Sequence, residues 1–191
     1  MRLGTLEKLV EIQSGYQSRG KIIESLNGSY HLLQAKDIVE GTPCWNSTIT
    51  FTPELNPDRY KIGNNDILFI ARGYENHAYL AIDPLDNVLA SNTFYIIRPK
   101  EIQSGFLAWW LNQEPAQSYF AQFQVKMGYA YMSKKNLAKL EVPVPSLEIQ
   151  AKISQTLKLW DHEQQLISKI TALKKSVINS IFLSATQEKE G

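Results

Sequence analysis

The sequence predicts a mixed α/β (α+β) fold. A globular module with a curved, mostly antiparallel sheet and flanking helices is followed by a long C-terminal helix of coiled-coil type. Three observations point there. Short β-prone runs recur at close spacing between residues 48 and 97, with turn signals between them. The stretch LEVPVPSLEIQAKI, residues 140–153, ends an apolar run in alternating prolines and then opens a helical pattern. From Ser146 to Leu183 there is no proline or glycine, and apolar residues fall three and four apart. The expected organisation is a module over residues 1–145, a spacer or dimerisation helix over 146–184, and a charged tail over 185–191.

Leu6, Leu9 and Val10 lie at helical spacing, so residues 5–12 are expected to form a short helix or turn. SGYQSRG, residues 14–20, is a loop by its glycine and serine content, with Arg19 and Lys21 at its end. Residues 30–35 read as a strand. So do 48–52, where β-branched and aromatic residues alternate. Residues 67–71, 78–82, 88–90 and 93–97 give four more strands in quick succession. Between the first two of these lies Arg72-Gly73-Tyr74-Glu75-Asn76-His77, a polar loop.

After Arg98-Pro99 the pattern becomes helical. Ser104 is the expected N-cap of an apolar helix face carrying Phe106, Leu107, Trp109, Trp110 and Leu111, and at least one of the two tryptophans belongs in the core. Pro115 opens a second helix carrying Tyr119, Phe120 and Phe123. Residues 124–135, QVKMGYAYMSKK, form a basic, aromatic loop.

Val142-Pro143-Val144-Pro145 is expected to end whatever precedes it, because proline cannot donate a ladder hydrogen bond. Ser146 suits an N-cap, with Glu148 in the first turn. Along the long helix Ile153, Leu157, Trp160 and Ile167 mark one apolar stripe. Ile170, Leu173 and Val177 continue it after a register shift near 163–167. A helix of this length extends about 55 Å and needs a partner for its stripe.

Composition restricts the function classes. Forty-three per cent hydrophobic residues argue for a packed core, and one cysteine, Cys44, excludes a disulfide framework or thiolate metal cluster. No apolar run reaches the roughly 20 residues of a membrane span, and the N-terminus lacks a signal-peptide core. A cytoplasmic protein is expected. The net charge is +1, so any nucleic-acid surface must be a local patch.

Catalytic patterns are missing. The sequence holds no phosphate-binding glycine loop, no HExxH, no Asp/Glu-x-Lys nuclease element and no Asp/Asn-Pro-Pro-aromatic motif of amino-methyltransferases. His31, His77 and His162 lie far apart, and each reads as a structural histidine. The weight moves from enzyme to binding module. The competing readings are a non-catalytic protein-interaction scaffold whose helix dimerises without DNA, and a nuclease.

Several segments resemble one family in order along the chain. They are TLEKLVEIQSGY, LLQAKDI, Gly63-Asn64-Asn65-Asp66-Ile67-Leu68, SNTFYIIRP, FLAWWLNQEPAQSYF and, most specifically, SKKNLAKLEVPVPSLEIQAKI. The chain resembles the specificity (S) subunit of type I restriction-modification enzymes, in a half-length form with a single target recognition domain.

The resemblance implies a non-catalytic recognition module for double-stranded DNA, with the helix as a spacer between half-sites. It implies a DNA adenine methyltransferase (M) subunit and a restriction (R) subunit as partners. S-adenosylmethionine, ATP and Mg would belong to those partners, and this chain would hold no cofactor and no metal. A homodimer would restore the usual pair of domains. Exposed cations and planar polar side chains suit phosphate and base contacts. The candidate DNA-binding residues are therefore Arg19, Lys21, Arg72, Tyr74, Asn76, Lys126, Tyr129, Tyr131, Lys134 and Lys135. Among them Arg19, Arg72, Asn76 and Tyr129 are expected to read bases, and Lys134 and Lys135 to hold phosphates.

Overall fold

A computed structural model describes residues 2–18, 20–53, 56–73, 75–123 and 130–187. The chain divides into two compact units, Met1–Ala151 and Lys152–Gly191.

In the first unit the elements run β1 (Arg2–Thr5), α1 (Leu6–Leu9), β2 (Val10–Ser14), β3 (Tyr30–Leu33), β4 (Ile38–Val39), β5 (Thr42–Pro43) and β6 (Ile49–Phe51). Then come β7 (Ile67–Ile70), β8 (Arg72–Gly73), β9 (Ala78–Leu80), β10 (Val88–Ala90) and β11 (Phe94–Pro99). Helices α2 (Ser104–Leu111) and α3 (Glu114–Ala121) follow, then β12 (Ala130–Tyr131), α4 (Lys134–Ala138) and β13 (Glu141–Val144). The long helix α5 (Leu147–Gln187) begins in this unit and makes up most of the second.

The fold is mixed α/β. A four-stranded antiparallel sheet has the order β2-β11-β7-β9, and a three-stranded sheet has the order β10-β3-β6, with β10 parallel to β3. Side chains alternate across a strand, and the core uses both faces. Leu68 of β7 faces Phe94 and Ile96 of β11 in one cluster, to which β3 and β10 add Leu33, Val88 and Ala90. The alternate residues Leu32 and Leu89 turn to a second cluster with Tyr16 and Phe51. On the other face of β7, Phe69 meets Phe120 of α3 edge-on at 5.1 Å. Trp110 is buried, as expected of at least one of the pair.

Three sequence expectations are corrected. Residues 5–12 give only one helical turn, because Val10 and Ile12 alternate inward along β2. Nor do the prolines end the preceding strand. Glu141, Val142, Pro143 and Val144 are β13 itself, paired antiparallel with β1 in the register Leu3↔Pro143. A two-stranded ribbon leaves each strand one free edge, so a residue without an N–H is tolerated there. At the next helix, Gln103 rather than Ser104 occupies the N-cap position of α2.

The start of α5 is held within the first unit. Ser146 Oγ accepts from the Ile149 N–H at 3.4 Å. Gln150 is fully buried. Its Oε1 accepts from the Gln103 N–H and its Nε2 donates to the Pro145 carbonyl, each at 2.9 Å. The described part of the second unit is a single helix whose hydroxyls at Thr156, Thr171, Ser180 and Ser184 donate to carbonyls one turn back. Its apolar stripe is open: Trp160 is 57% exposed and Ile170 50%.

Candidate nucleic-acid interface

The site is assembled by the three-residue connection between β10 and β11, Ser91-Asn92-Thr93. Ser91 N–H donates to the Leu33 carbonyl at 2.9 Å, and the Ser91 carbonyl accepts from Phe94 at 3.0 Å. On one side the first loop leaves β2 against this connection. Gly15 N–H donates to the Phe94 carbonyl at 2.9 Å and Tyr16 N–H to the Ala90 carbonyl at 2.7 Å. A Cβ on Gly15 would overlap the Ser91 carbonyl oxygen, so the close approach requires glycine. Tyr16 then packs its ring 5.5 Å from both Phe51 and Tyr60. Beyond it Gln17 and Lys21 are exposed.

On the other side the Thr93 carbonyl accepts from the N–H groups of Ala71 at 2.9 Å and Arg72 at 3.3 Å. Arg72 lies in β8, paired with β12, and its guanidinium stands over the Tyr131 ring at 5.5 Å. This cation–π contact holds the charge on an exposed ring. Beneath them, burial pushes the Tyr95 phenol above its ordinary value. Tyr131 adds to the rise, while the Lys134 backbone and Arg72 oppose it.

Lys134 and Lys135 are exposed in the first turn of α4, which Ser133 caps by accepting the Asn136 N–H at 3.1 Å.

The result is an open polar groove of about 450 Å³, lined among others by Gln17, Lys21, Asn92 and Thr93. Arg72 and Tyr131 adjoin it through Thr93. A second groove, about 660 Å³, lies along residues 61–64 and 83–87. Asp83 and Asp86 line it, and they would repel phosphate.

The structure thus brings Lys21, Arg72 and Tyr131 to one surface, with Lys134 and Lys135 following Tyr131 along the chain. Arg19, Tyr74, Lys126 and Tyr129 lie outside the described residues. Asn76 is corrected as a base reader. It is only 2% exposed, and its Nδ2 donates to the Ile70 carbonyl at 2.8 Å. Its backbone carbonyl accepts from Gln117 at 2.9 Å, so it ties the loop to α3. Sequence reasoning passed over Asn92 and Thr93. Their only sequence signal is polarity in a short connection between two apolar strands.

Among the described residues no group of His, Cys, Asp and Glu could hold a metal ion, and no helix is long and apolar enough to cross a membrane.

Comparison with known proteins gives a family and a fold. Residues 3–174 match the family described as the type I restriction modification DNA specificity domain. No curated protein matches the sequence. Among solved structures, the chain is similar to a type I restriction-modification S subunit from M. genitalium, with 16% identity and a TM-score of 0.61 over 88% of this chain and 41% of that one. It is also similar to the HsdS subunit from Thermoanaerobacter tengcongensis, with 20% identity and a TM-score of 0.55 over 92% of this chain and 39% of that one. A chain from a structure describing assembly and conformational transition of the type I R-M system aligns at 16% identity, with a TM-score of 0.58 over 94% of this chain and 43% of that one. The chain therefore spans about two fifths of the length of these structures.

Proposed function

The chain belongs to the family of type I restriction modification DNA specificity domains, and from that premise we propose that it recognises one part of a bipartite DNA site for a type I restriction-modification system. The observation that carries this reading is the meeting of Lys21, Arg72 and Tyr131 around one short connection, with Lys134 and Lys135 beyond. Cations hold phosphates and set register, while planar side chains in a groove read base edges.

The chain makes and breaks no bonds. A methyltransferase subunit, carrying S-adenosylmethionine, flips and methylates an adenine beside the recognised bases. A restriction subunit supplies ATP-driven translocation and cleavage, with Mg. Helix α5 spaces one recognition domain from the next. The stripe of half-buried Ile153 and Leu157 and exposed Trp160, Ile167, Ile170, Leu173 and Val177 packs on a second such helix. In a homodimer, two-fold symmetry then gives inverted half-sites.

The test is a mobility-shift assay on random duplexes at low salt, with and without the methyltransferase subunit. A shift that sharpens with that subunit is expected. No shift in either case would remove the DNA reading and favour the scaffold reading, for which the near-neutral net charge of +1 speaks. Plasmid incubated with divalent metal and this chain alone is expected to stay uncut.

A further inference from the structure

The half-buried Asn92 sits in the polar groove at the centre of the candidate interface, and the fold itself has no use for its side chain. Two ordinary reasons place asparagine in a turn: a positive φ, or a side-chain hydrogen bond to nearby backbone. Neither applies. The non-glycine residues of positive φ among those described are Glu40, Asn65, Asp83 and Asn87. The Asn92 carboxamide makes no hydrogen bond to any other described residue.

Three other amides in this unit are spent internally. Asn112 donates to the Ala78 carbonyl at 2.7 Å and accepts from the Ala78 N–H at 2.9 Å. Gln117 donates to the Asn76 and Leu111 carbonyls. Gln150 bridges Gln103 and Pro145. Asn92 alone among these keeps its donors and acceptor for something outside the chain.

Its backbone, by contrast, is fixed. Ser91 is tied to Leu33 and Phe94, and Thr93 to Ala71 and Arg72. A planar amide on a rigid connection, in a groove with Lys21 and next to the Thr93 that accepts from Arg72, has the form of a preorganised reader. Asparagine pairs with adenine by donating to N7 and accepting from the N6 amine, a pattern the major groove shows only at that base.

We propose that Asn92 is a specificity-determining residue that reads an adenine in the recognised half-site through its carboxamide. This rests on the DNA-recognition reading above. The substitution Asn92→Asp puts an isosteric side chain there that only accepts, and it would favour the N4 amine of cytosine instead.

The test is selection of bound duplexes from a randomised library by the full chain with its methyltransferase subunit, comparing wild type, Asn92→Ala and Asn92→Asp. Circular dichroism and urea melts check the fold of each. The wild type should enrich a motif containing adenine at a position where Asn92→Ala becomes indifferent, with a discrimination loss of about tenfold to a hundredfold. The other positions should persist. Asn92→Asp should shift that one position toward cytosine, and being isosteric it keeps the proposal testable if the alanine variant folds poorly. An unchanged motif in both variants overturns the proposal, as does a uniform loss of affinity with no position relaxed. A wild type that enriches no motif refutes DNA recognition itself, and so is distinguishable from failure of the Asn92 assignment.

Discussion

Replacing Gln150 by alanine probes the join between the recognition module and its helix. The side chain is fully buried and bridges the Gln103 N–H to the Pro145 carbonyl at 2.9 Å each way. Truncation strips both partners. A polar group left without its partner costs about 1–3 kcal/mol, toward the lower end where water can reach it. The lost methylene adds about 0.8 kcal/mol. Released side-chain entropy returns about 1–2 kcal/mol. A net loss of about 2 kcal/mol follows. With a urea m-value of about 2 kcal/mol/M for a unit of this size, the midpoint should fall by about 1 M.

Tryptophan fluorescence in a Trp160→Phe background reads the module, since Trp45, Trp109 and Trp110 all lie in the first unit. Binding to a bipartite site should weaken more than binding to a single half-site, because the start of the helix is loosened while the reading surface is not. A midpoint shift below about 0.2 M would mean that the two hydrogen bonds contribute little net stability and do not hold the start of α5 in the first unit.

Lys134→Ala and Lys135→Ala should each weaken binding to all sequences alike and reduce the slope of log affinity against log salt by about 0.9; an unchanged slope would remove them from the phosphate contacts. Asp66 accepts from the Gly63 N–H at 2.8 Å and from Arg98 at 3.3 Å. Burial nevertheless lifts its pKa above the ordinary carboxylate value, with those partners opposing. The folded state therefore holds this proton more tightly than the unfolded one. Its contribution to stability rises as pH falls through the raised folded pKa toward the unfolded value of about 3.9. In urea melts from pH 7 to pH 4, Asp66→Asn should lose that acid-side increment relative to wild type. Ile170→Glu should lower the sedimentation coefficient if the α5 stripe is an interface between helices; an unchanged coefficient would count against self-association through it.

Local patterns in the sequence carried much of the fold. Val88–Ala90 is a short apolar run, while the helix after Gln103 and the unbroken stripe of α5 carry apolar residues three and four apart, and each became the element expected. The ribbon of β1 with β13 pairs residues about 140 positions apart. No local signal announces such a contact, and the two prolines pointed away from it. Val10–Ser14 was obscured because Leu6, Leu9 and Val10 fit helical spacing as well as the start of a strand.

The candidate site was legible as composition and not as geometry. Arg72, Tyr131 and Lys21 could be picked out as exposed cations and aromatics, yet Arg72's bond to Thr93, its pairing with Tyr131 and the groove that Lys21 shares with Thr93 all join distant segments. Asn76 and Asn92 look alike in sequence, each in a polar stretch between strands. Burial and a bond to Ile70 use up the first, and only the structure shows that the second is left free.

Whether this chain tells a methyltransferase where to act can be read by mapping methylated adenines across the genome of its source cells with and without its gene. The expected result is a bipartite motif, two short half-sites at a fixed gap, whose methylation disappears when the gene is deleted. Methylation unchanged at every motif after deletion would mean that this chain directs no methyltransferase.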